Sequence, residues 1–124
     1  MTALEVVAVA IAGGLGAVLR FLAGAVARDR PVRATIAVNL IASFVAGCVL
    51  SLVSIDPAWR AILVTGFCGG LSTYSAFATQ AVEQLERRRR GHALATVSLT
   101  LLGGALAASA GIMLGGMLTA VQAG

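Results

Sequence analysis

The apolar stretches of this 124-residue chain contain side chains that donate hydrogen bonds but almost no acidic side chains. The donors are a guanidinium, a carboxamide, hydroxyls and aromatic rings, found at Arg20, Asn39, Tyr74, Ser75, Phe77, Thr96 and Thr100. N–H and O–H groups and ring edges carry partial positive charge, so together they can replace the water shell of a small anion. A cation path or a proton relay would instead need acidic side chains within the membrane. The apolar stretches lack them, with the one exception of Glu5 close to the N-terminus.

Each of these side chains also has a purely structural explanation. Arg20 lies about two turns inside the end of its apolar stretch and could extend to the lipid headgroups. Asn39 could join two helices. Thr96 and Thr100, four residues apart, could each donate to their own helix backbone. Aromatic rings three residues apart usually only pack, so the residues alone leave these alternatives open.

Four apolar segments carry the polar groups. Hydrophobic residues make up 59% of the chain and charged residues 11%, a balance that indicates an integral membrane protein. Charged loops divide the single domain, residues 1–124, into segments long enough to cross a bilayer as helices. These segments run over about 6–27, 34–55, 61–82 and 93–121. We therefore predict an all-α integral membrane protein with four transmembrane helices.

The third segment is predicted to be broken at Gly69–Thr73. Gly69 and Gly70 each lower helix propensity by about 1 kcal/mol relative to alanine, and the hydroxyls of Ser72 and Thr73 follow directly. An unpaired backbone group in hydrocarbon costs several kcal/mol, so non-helical backbone is tolerated there only beside a polar cavity or an ion. Broken helices of this kind mark ion and substrate sites in transporters.

Arginines are distributed unevenly between the loops. With four spans, loops 28–33 and 83–92 share one side of the membrane, whereas the termini and the loop 56–60 share the other. The first side carries seven arginines and the second carries only Arg60. By the positive-inside rule, loops 28–33 and 83–92 are predicted to be cytoplasmic and both termini external, in a multi-pass protein of the cell membrane. The arginines could also do no more than bind lipid headgroups.

Three motifs resemble those of the Fluc (CrcB-type) fluoride channels. Gly13–Arg20, Gly-Gly-Leu-Gly-Ala-Val-Leu-Arg, is similar to that family's first-helix signature. Residues 35–47, with Thr35-Ile-Ala-Val-Asn39, Ser43-Phe44 and Gly47, resemble the second-helix motif. Gly66–Phe77, Gly-Phe-Cys-Gly-Gly-Leu-Ser-Thr-Tyr-Ser-Ala-Phe, resembles the third-helix signature. The three motifs in this order cover essentially the whole chain.

The resemblance implies a fluoride-selective passive channel that exports fluoride from the cytoplasm. It implies an antiparallel, dual-topology-type dimer with two pores and a structural sodium ion that is not transported. Backbone carbonyls of Gly69 and Ser72 would hold the sodium ion. The residues expected to line the pore are Asn39, Tyr74, Phe77, Thr96, Thr100, Arg20 and Ser75.

Three positions depart from the family pattern, namely Tyr74, Gln80 and Gly104. Together with the uneven arginines, they suggest a subunit of fixed orientation that pairs with an oppositely oriented homologous subunit, although a homodimer remains the alternative. A non-conducting accessory subunit is a second possibility. A small multidrug-type exporter is disfavoured because it needs a carboxylate within the first helix. We expect no enzyme, since His92 has no evident partner, and no nucleic acid partner.

Overall fold

The computed structural model describes residues 1–124 and is entirely helical. Its two uninterrupted N-terminal helices are α1 (Ala3–Val26) and α2 (Pro31–Ser51). The next membrane segment consists of α3 (Pro57–Arg60), a π-helical stretch (Ala61–Cys68), α4 (Gly69–Leu71) and α5 (Tyr74–Glu86). The chain ends with α6 (Arg90–Ala123).

Local sequence explains where several helices begin. Thr2 and Glu5 form a reciprocal capping box at the start of α1, in which each side chain accepts from the other residue's backbone N–H. Asp56 accepts from the backbone N–H of Ala58 at 2.8 Å at the start of α3. Pro31 and Pro57 stand at first helical positions, where a missing N–H costs nothing.

Four helical segments are long and apolar enough to cross a membrane, as predicted. They are Ala3–Val26, Pro31–Ser51, Pro57–Glu86 and Arg90–Ala123. Several helices extend a few residues beyond the predicted spans, because flanking polar residues join the helix ends, whereas α2 ends at Ser51 and not at the predicted residue 55. The third segment is interrupted between α4 and α5, which confirms the predicted bend.

The position of the break differs from the expectation in detail. Gly69 and Gly70, expected to disrupt the helix, are themselves helical, and the chain leaves helical geometry only at Ser72 and Thr73. Low helix propensity therefore does not place the break. Gly70 instead allows close packing, because a Cβ there would lie 2.8 Å from the carbonyl carbon of Gly13 on α1.

Close helix packing depends on glycine at two interfaces. On α1, a Cβ at Gly16 would meet the backbone nitrogen of Leu71 at 2.7 Å. On α6, the small-residue row Gly103, Ala107, Gly111 and Gly115 faces α2, as predicted from its four-residue spacing. Because α2 and α6 cross the bundle in the same direction, they form a parallel pair with both N-termini at one end.

The protomer buries little of its own surface. Only 14 of its 124 residues are buried, and no large side chain is completely enclosed. A small cluster of Val38, Ala42, Cys68 and Leu71 joins α2 to the third segment. Apolar side chains such as Phe21 and Leu106 are more than 70% exposed, so lipid or another chain must cover them.

Candidate functional site

Two residues at the break have extended backbone within a membrane segment. Ser72 has φ −75° and ψ 157°, and Thr73 has φ −148° and ψ 120°. The hydroxyl of Thr73 then caps α5 by accepting from the backbone N–H of Ala76 at 3.2 Å. Extended backbone exposes N–H and C=O groups that need partners in a membrane.

Asn39 supplies both partners of Thr73. Its Nδ2 donates to the Thr73 carbonyl at 3.1 Å, and the Thr73 N–H donates to its Oδ1 at 2.7 Å. The carboxamide thus pairs with Thr73 as a neighbouring peptide unit would. Since Nδ2 carries two hydrogens, one donor remains available to a ligand.

Arg20 supplies the partner of Ser72. Its Nη1 donates to the Ser72 carbonyl at 3.0 Å, a contact that joins α1 to the break across 52 residues of sequence. A guanidinium has five N–H donors, so four remain for other acceptors. The charge is therefore held at the break, close to the adjoining cavity.

The pairing of Thr73 also affects the carbonyl of Gly69. In a continuous helix the Thr73 N–H would donate to that carbonyl four residues earlier. Here the N–H donates to Asn39 instead, which leaves the Gly69 carbonyl without this donor.

A cavity of about 390 Å³ opens on one side of the break. Its polar lining comes from α1, α2 and the third membrane segment. It consists of Arg20, Thr35, Thr73, Ser75 and Gln80. No carboxylate lines it, so the only formal charge in the wall is the positive charge of Arg20. The cavity therefore suits an anion better than a cation.

Gln80 and Thr35 form a connected pair in this cavity. Gln80 Nε2 donates to the hydroxyl of Thr35 at 2.9 Å, and that hydroxyl donates to the Pro31 carbonyl at 3.1 Å. The Oε1 atom of Gln80 is buried without a partner. Gln80 thus offers an acceptor at this point but no charge.

A second cavity, of about 270 Å³, opens on the other side of Thr73. It brings together four of the residues predicted to line a pore, namely Asn39, Tyr74, Phe77 and Thr100. The rings of Tyr74 and Phe77 lie 6.0 Å apart between centroids and are tilted by 59°. Ser43, Ser72 and Leu101 complete much of the wall, and again no carboxylate is present.

Two hydroxyls that line the second cavity, those of Thr100 and Ser43, donate to their own helices. Thr100 Oγ1 donates to the Thr96 carbonyl at 2.7 Å, and Ser43 Oγ donates to the Asn39 carbonyl at 2.8 Å. Their lone pairs, not their protons, therefore face the cavity. Each hydroxyl must rotate before it can donate to an anion.

Thr96 lies apart from the other predicted residues. It is 3% exposed, and its hydroxyl lies 2.8 Å from Gln84 Oε1 and 2.9 Å from the His92 carbonyl. It lines neither cavity beside the break. The four-residue spacing placed Thr96 and Thr100 on one face, but α5 packs over the first of them.

The cavities contain polar residues that the sequence prediction did not assign to the site. These are Thr35, Ser43, Thr73 and Gln80. A signal was present in α2, because Thr35, Asn39 and Ser43 recur every four residues and so share one face. Gln80 was noted in the sequence only as a departure from the family pattern, and its contact with Thr35 exists because tertiary packing brings α5 against the start of α2.

Comparison with known proteins shows which family this chain is similar to. Residues 7–112 match the family described as "CrcB-like protein, Camphor Resistance (CrcB)". The chain is 44% identical over 127 aligned positions to the fluoride-specific ion channel FluC 1 of Leifsonia xyli subsp. xyli (strain CTCB07), covering 97% of this chain and 93% of that protein.

Two enterobacterial relatives match over a shorter range. The fluoride-specific ion channel FluC of Klebsiella pneumoniae (strain 342) is 41% identical over 105 residues, with 77% of this chain and 81% of that protein covered. FluC of Escherichia coli O17:K52:H18 is 40% identical over the same coverage. The chain therefore belongs to the CrcB-like family, which includes the fluoride-specific ion channels named FluC.

Proposed function

We propose that this chain is a subunit of a fluoride-selective passive channel that releases fluoride from the cytoplasm. The observation that carries the proposal is the broken third segment, where Asn39 and Arg20 hold extended backbone between two cavities without carboxylates. The names of the relatives support fluoride as the ion.

The residues around the break have separate roles in this proposal. Arg20 attracts the anion into the first cavity, where the Ser75 hydroxyl offers a donor. The free N–H of Asn39 and the ring edges of Tyr74 and Phe77 replace water in the second cavity. Flow follows the electrochemical gradient.

A structural sodium ion fits the backbone at the break in part. The Gly69 carbonyl lacks the Thr73 donor, and the Ser72 carbonyl has a second lone pair beside its bond to Arg20. Unwound carbonyls of this kind hold Na⁺ in other membrane proteins. Two carbonyls are too few ligands for one ion, so the same pair from a second subunit would complete the site. The ion would supply a positive charge that fastens two broken segments together.

An antiparallel dimer is the assembly we propose for these chains. The large exposed apolar surface of the protomer and the shortage of sodium ligands both support a second subunit. The arginine distribution, seven against one, favours a partner of opposite orientation that is a homologous chain and not a copy of this one.

Fluoride release from liposomes tests the channel function. Liposomes loaded with potassium fluoride are made with the purified chain, and release after addition of valinomycin is followed with a fluoride electrode. We expect rapid release that depends on the protein, and much slower chloride release from matched potassium chloride liposomes. Equal release of both ions would overturn the selectivity.

The same assay distinguishes a conducting from an accessory subunit. Release by this chain alone supports a conducting homodimer. Release that requires co-reconstitution with an oppositely oriented homologue supports a heterodimer. No release above that of protein-free liposomes, from folded protein with or without that homologue, would contradict the proposed function.

A further inference from the structure

A third cavity lies at the end of the bundle where α2 and α6 begin. It has a volume of about 440 Å³ and is formed by the loop before α2, the start of α6 and the side of α5. Its basic lining consists of Arg30, Arg33, Arg89 and His92. None of Asn39, Ser75 and Phe77, which belong to the proposed fluoride path, lines it.

The lining changes from basic to apolar along the helices. On α2, Ile36 lies one turn deeper than Arg33, and on α6, Leu99 lies two turns deeper than His92. The cavity therefore has a cationic rim and an apolar wall that runs toward the middle of the membrane. A phospholipid, with a phosphate above and an acyl chain below, has the same order of groups.

Few negative charges offset the basic rim. Asp29 is the one carboxylate in the lining, and its Oδ2 lies 4.0 Å from Arg30 Nε with both side chains mostly exposed. An ion pair of that length in water contributes little. Arg33 and Arg89 form no ion pair with the protein.

The helix ends add to the positive potential. Arg30 and Arg89 are the N-cap residues of α2 and α6, and neither helix has an acidic residue in its first turn or a side-chain cap. Arginine at a helix start is unfavourable, since the backbone dipole already makes that end positive. The sequence thus concentrates positive charge around the cavity, and the exposed Asp29 is the one negative charge that the lining sets against it.

From the cavity, its basic rim and its apolar wall, we propose that it binds the phosphate of an anionic phospholipid. Arg33, Arg89 and His92 would contact the phosphate, and Ile36 and Leu99 would contact an acyl chain. This site goes beyond the proposed channel function and does not depend on which ion the protein conducts.

Native mass spectrometry of the full chain tests the proposal. The protein is released from detergent in the presence of phosphatidylglycerol or phosphatidylcholine with identical acyl chains. We expect the unaltered chain to retain phosphatidylglycerol at least about tenfold more than phosphatidylcholine, since each arginine near an anionic headgroup strengthens binding. The double variant Arg33→Gln/Arg89→Gln should lose this preference.

A matched control separates the cavity from general charge. The double variant Arg28→Gln/Arg88→Gln has the same net charge, but neither residue lines the cavity, so it should keep the preference. Equal loss in both double variants would overturn the proposal, as would displacement of the lipid by excess inorganic phosphate, which would indicate a free-phosphate site. Equal retention of both lipids by the unaltered chain would overturn it even if the variants fail to fold.

Discussion

The carboxamide of Asn39 on α2 pairs with both backbone groups of Thr73 in the third membrane segment, at 3.1 and 2.7 Å. The two residues are 34 positions apart in the chain. The pairing lets Thr73 leave helical geometry with its own N–H and C=O groups both hydrogen-bonded. It also places the remaining donor of Asn39 beside the aromatic rings of the second cavity.

Replacing Asn39 by alanine should therefore destabilise the protein. Asn39→Ala removes two hydrogen bonds and leaves the N–H and C=O of Thr73 without partners, each at a cost of about 1–3 kcal/mol. We expect a loss of about 2–4 kcal/mol in the free energy of unfolding, measured by denaturant titration in detergent. Ser43→Ala, which removes only a bond within α2, should cost less than about 1 kcal/mol. Equal losses for the two variants would contradict the role of Asn39 at the break.

The glycine contact between α1 and the third segment should tolerate no methyl group. In Gly70→Ala the new Cβ would lie 2.8 Å from the carbonyl carbon of Gly13, and backbone atoms cannot yield as a flexible side chain can. We expect a loss of about 1–3 kcal/mol in the free energy of unfolding. Gly14→Ala, with nothing within 4 Å of the added Cβ, should be neutral or slightly stabilising. The contact is unimportant if both variants behave alike.

The ring of Phe77 should matter for fluoride flux more than for stability. Phe77→Leu keeps an apolar side chain in the second cavity but removes the positively polarised ring edge. We expect fluoride release from liposomes to slow by about tenfold, which corresponds to the upper range of an aromatic contact energy. Leu101→Val, in the same cavity wall, changes size without removing a ring and should have a much smaller effect. Similar slowing in both variants would argue against a role for the ring.

Arg88 should be replaceable by glycine with a gain in stability. Its φ of 57° is the one positive φ among the non-glycine residues. It ends α5 in a Schellman motif, with Arg88 N–H donating to the Leu85 carbonyl and Arg89 N–H to the Gln84 carbonyl, each within 3.0 Å. Because left-handed backbone costs an L-residue about 1–2 kcal/mol, Arg88→Gly should raise the free energy of unfolding by about 1 kcal/mol.

Arg90→Gly serves as the control for Arg88→Gly, since it removes the same charge from a helical position. It should lower the free energy of unfolding by up to about 1 kcal/mol. A loss of stability in Arg88→Gly would show that the arginine makes contacts that outweigh the strain.

Topology reporters at both termini should find a single orientation when the chain is expressed alone. Seven arginines on one side against one on the other favour insertion with loops 28–33 and 83–92 in the cytoplasm. Replacing Arg87–Arg90 by glutamine should leave three arginines against one and produce a mixed population. A mixed population from the unaltered chain would rule out a dedicated partner of opposite orientation.

Some features could be predicted from the sequence because they depend on composition and local spacing. Four apolar stretches of about 20 residues predicted the membrane helices, and the row from Gly103 to Gly115 predicted a packing face on α6. The Gly66–Phe77 string located the break to within a few residues. Its cause was misassigned, because glycine signals both weak helix propensity and close approach, and only the position of α1 distinguishes the two.

Other features depend on which helices meet. The sequence predicted polar groups at Arg20, Asn39 and Thr100, but not that Arg20 bonds to Ser72 or that Asn39 bonds to Thr73. It also grouped Thr96 with Thr100, which the structure separates.

The sequence by itself determined the membrane class, the helix count, the family and the bias of charge. Each of these depends on composition or on motifs of residues that are close together in the chain. Only the tertiary structure decided which carbonyls are paired, which hydroxyls face a cavity, and where Gln80 and Thr35 meet. Hydrogen bonds act over about 3 Å, so these relationships exist only once residues distant in the chain have been brought together by packing.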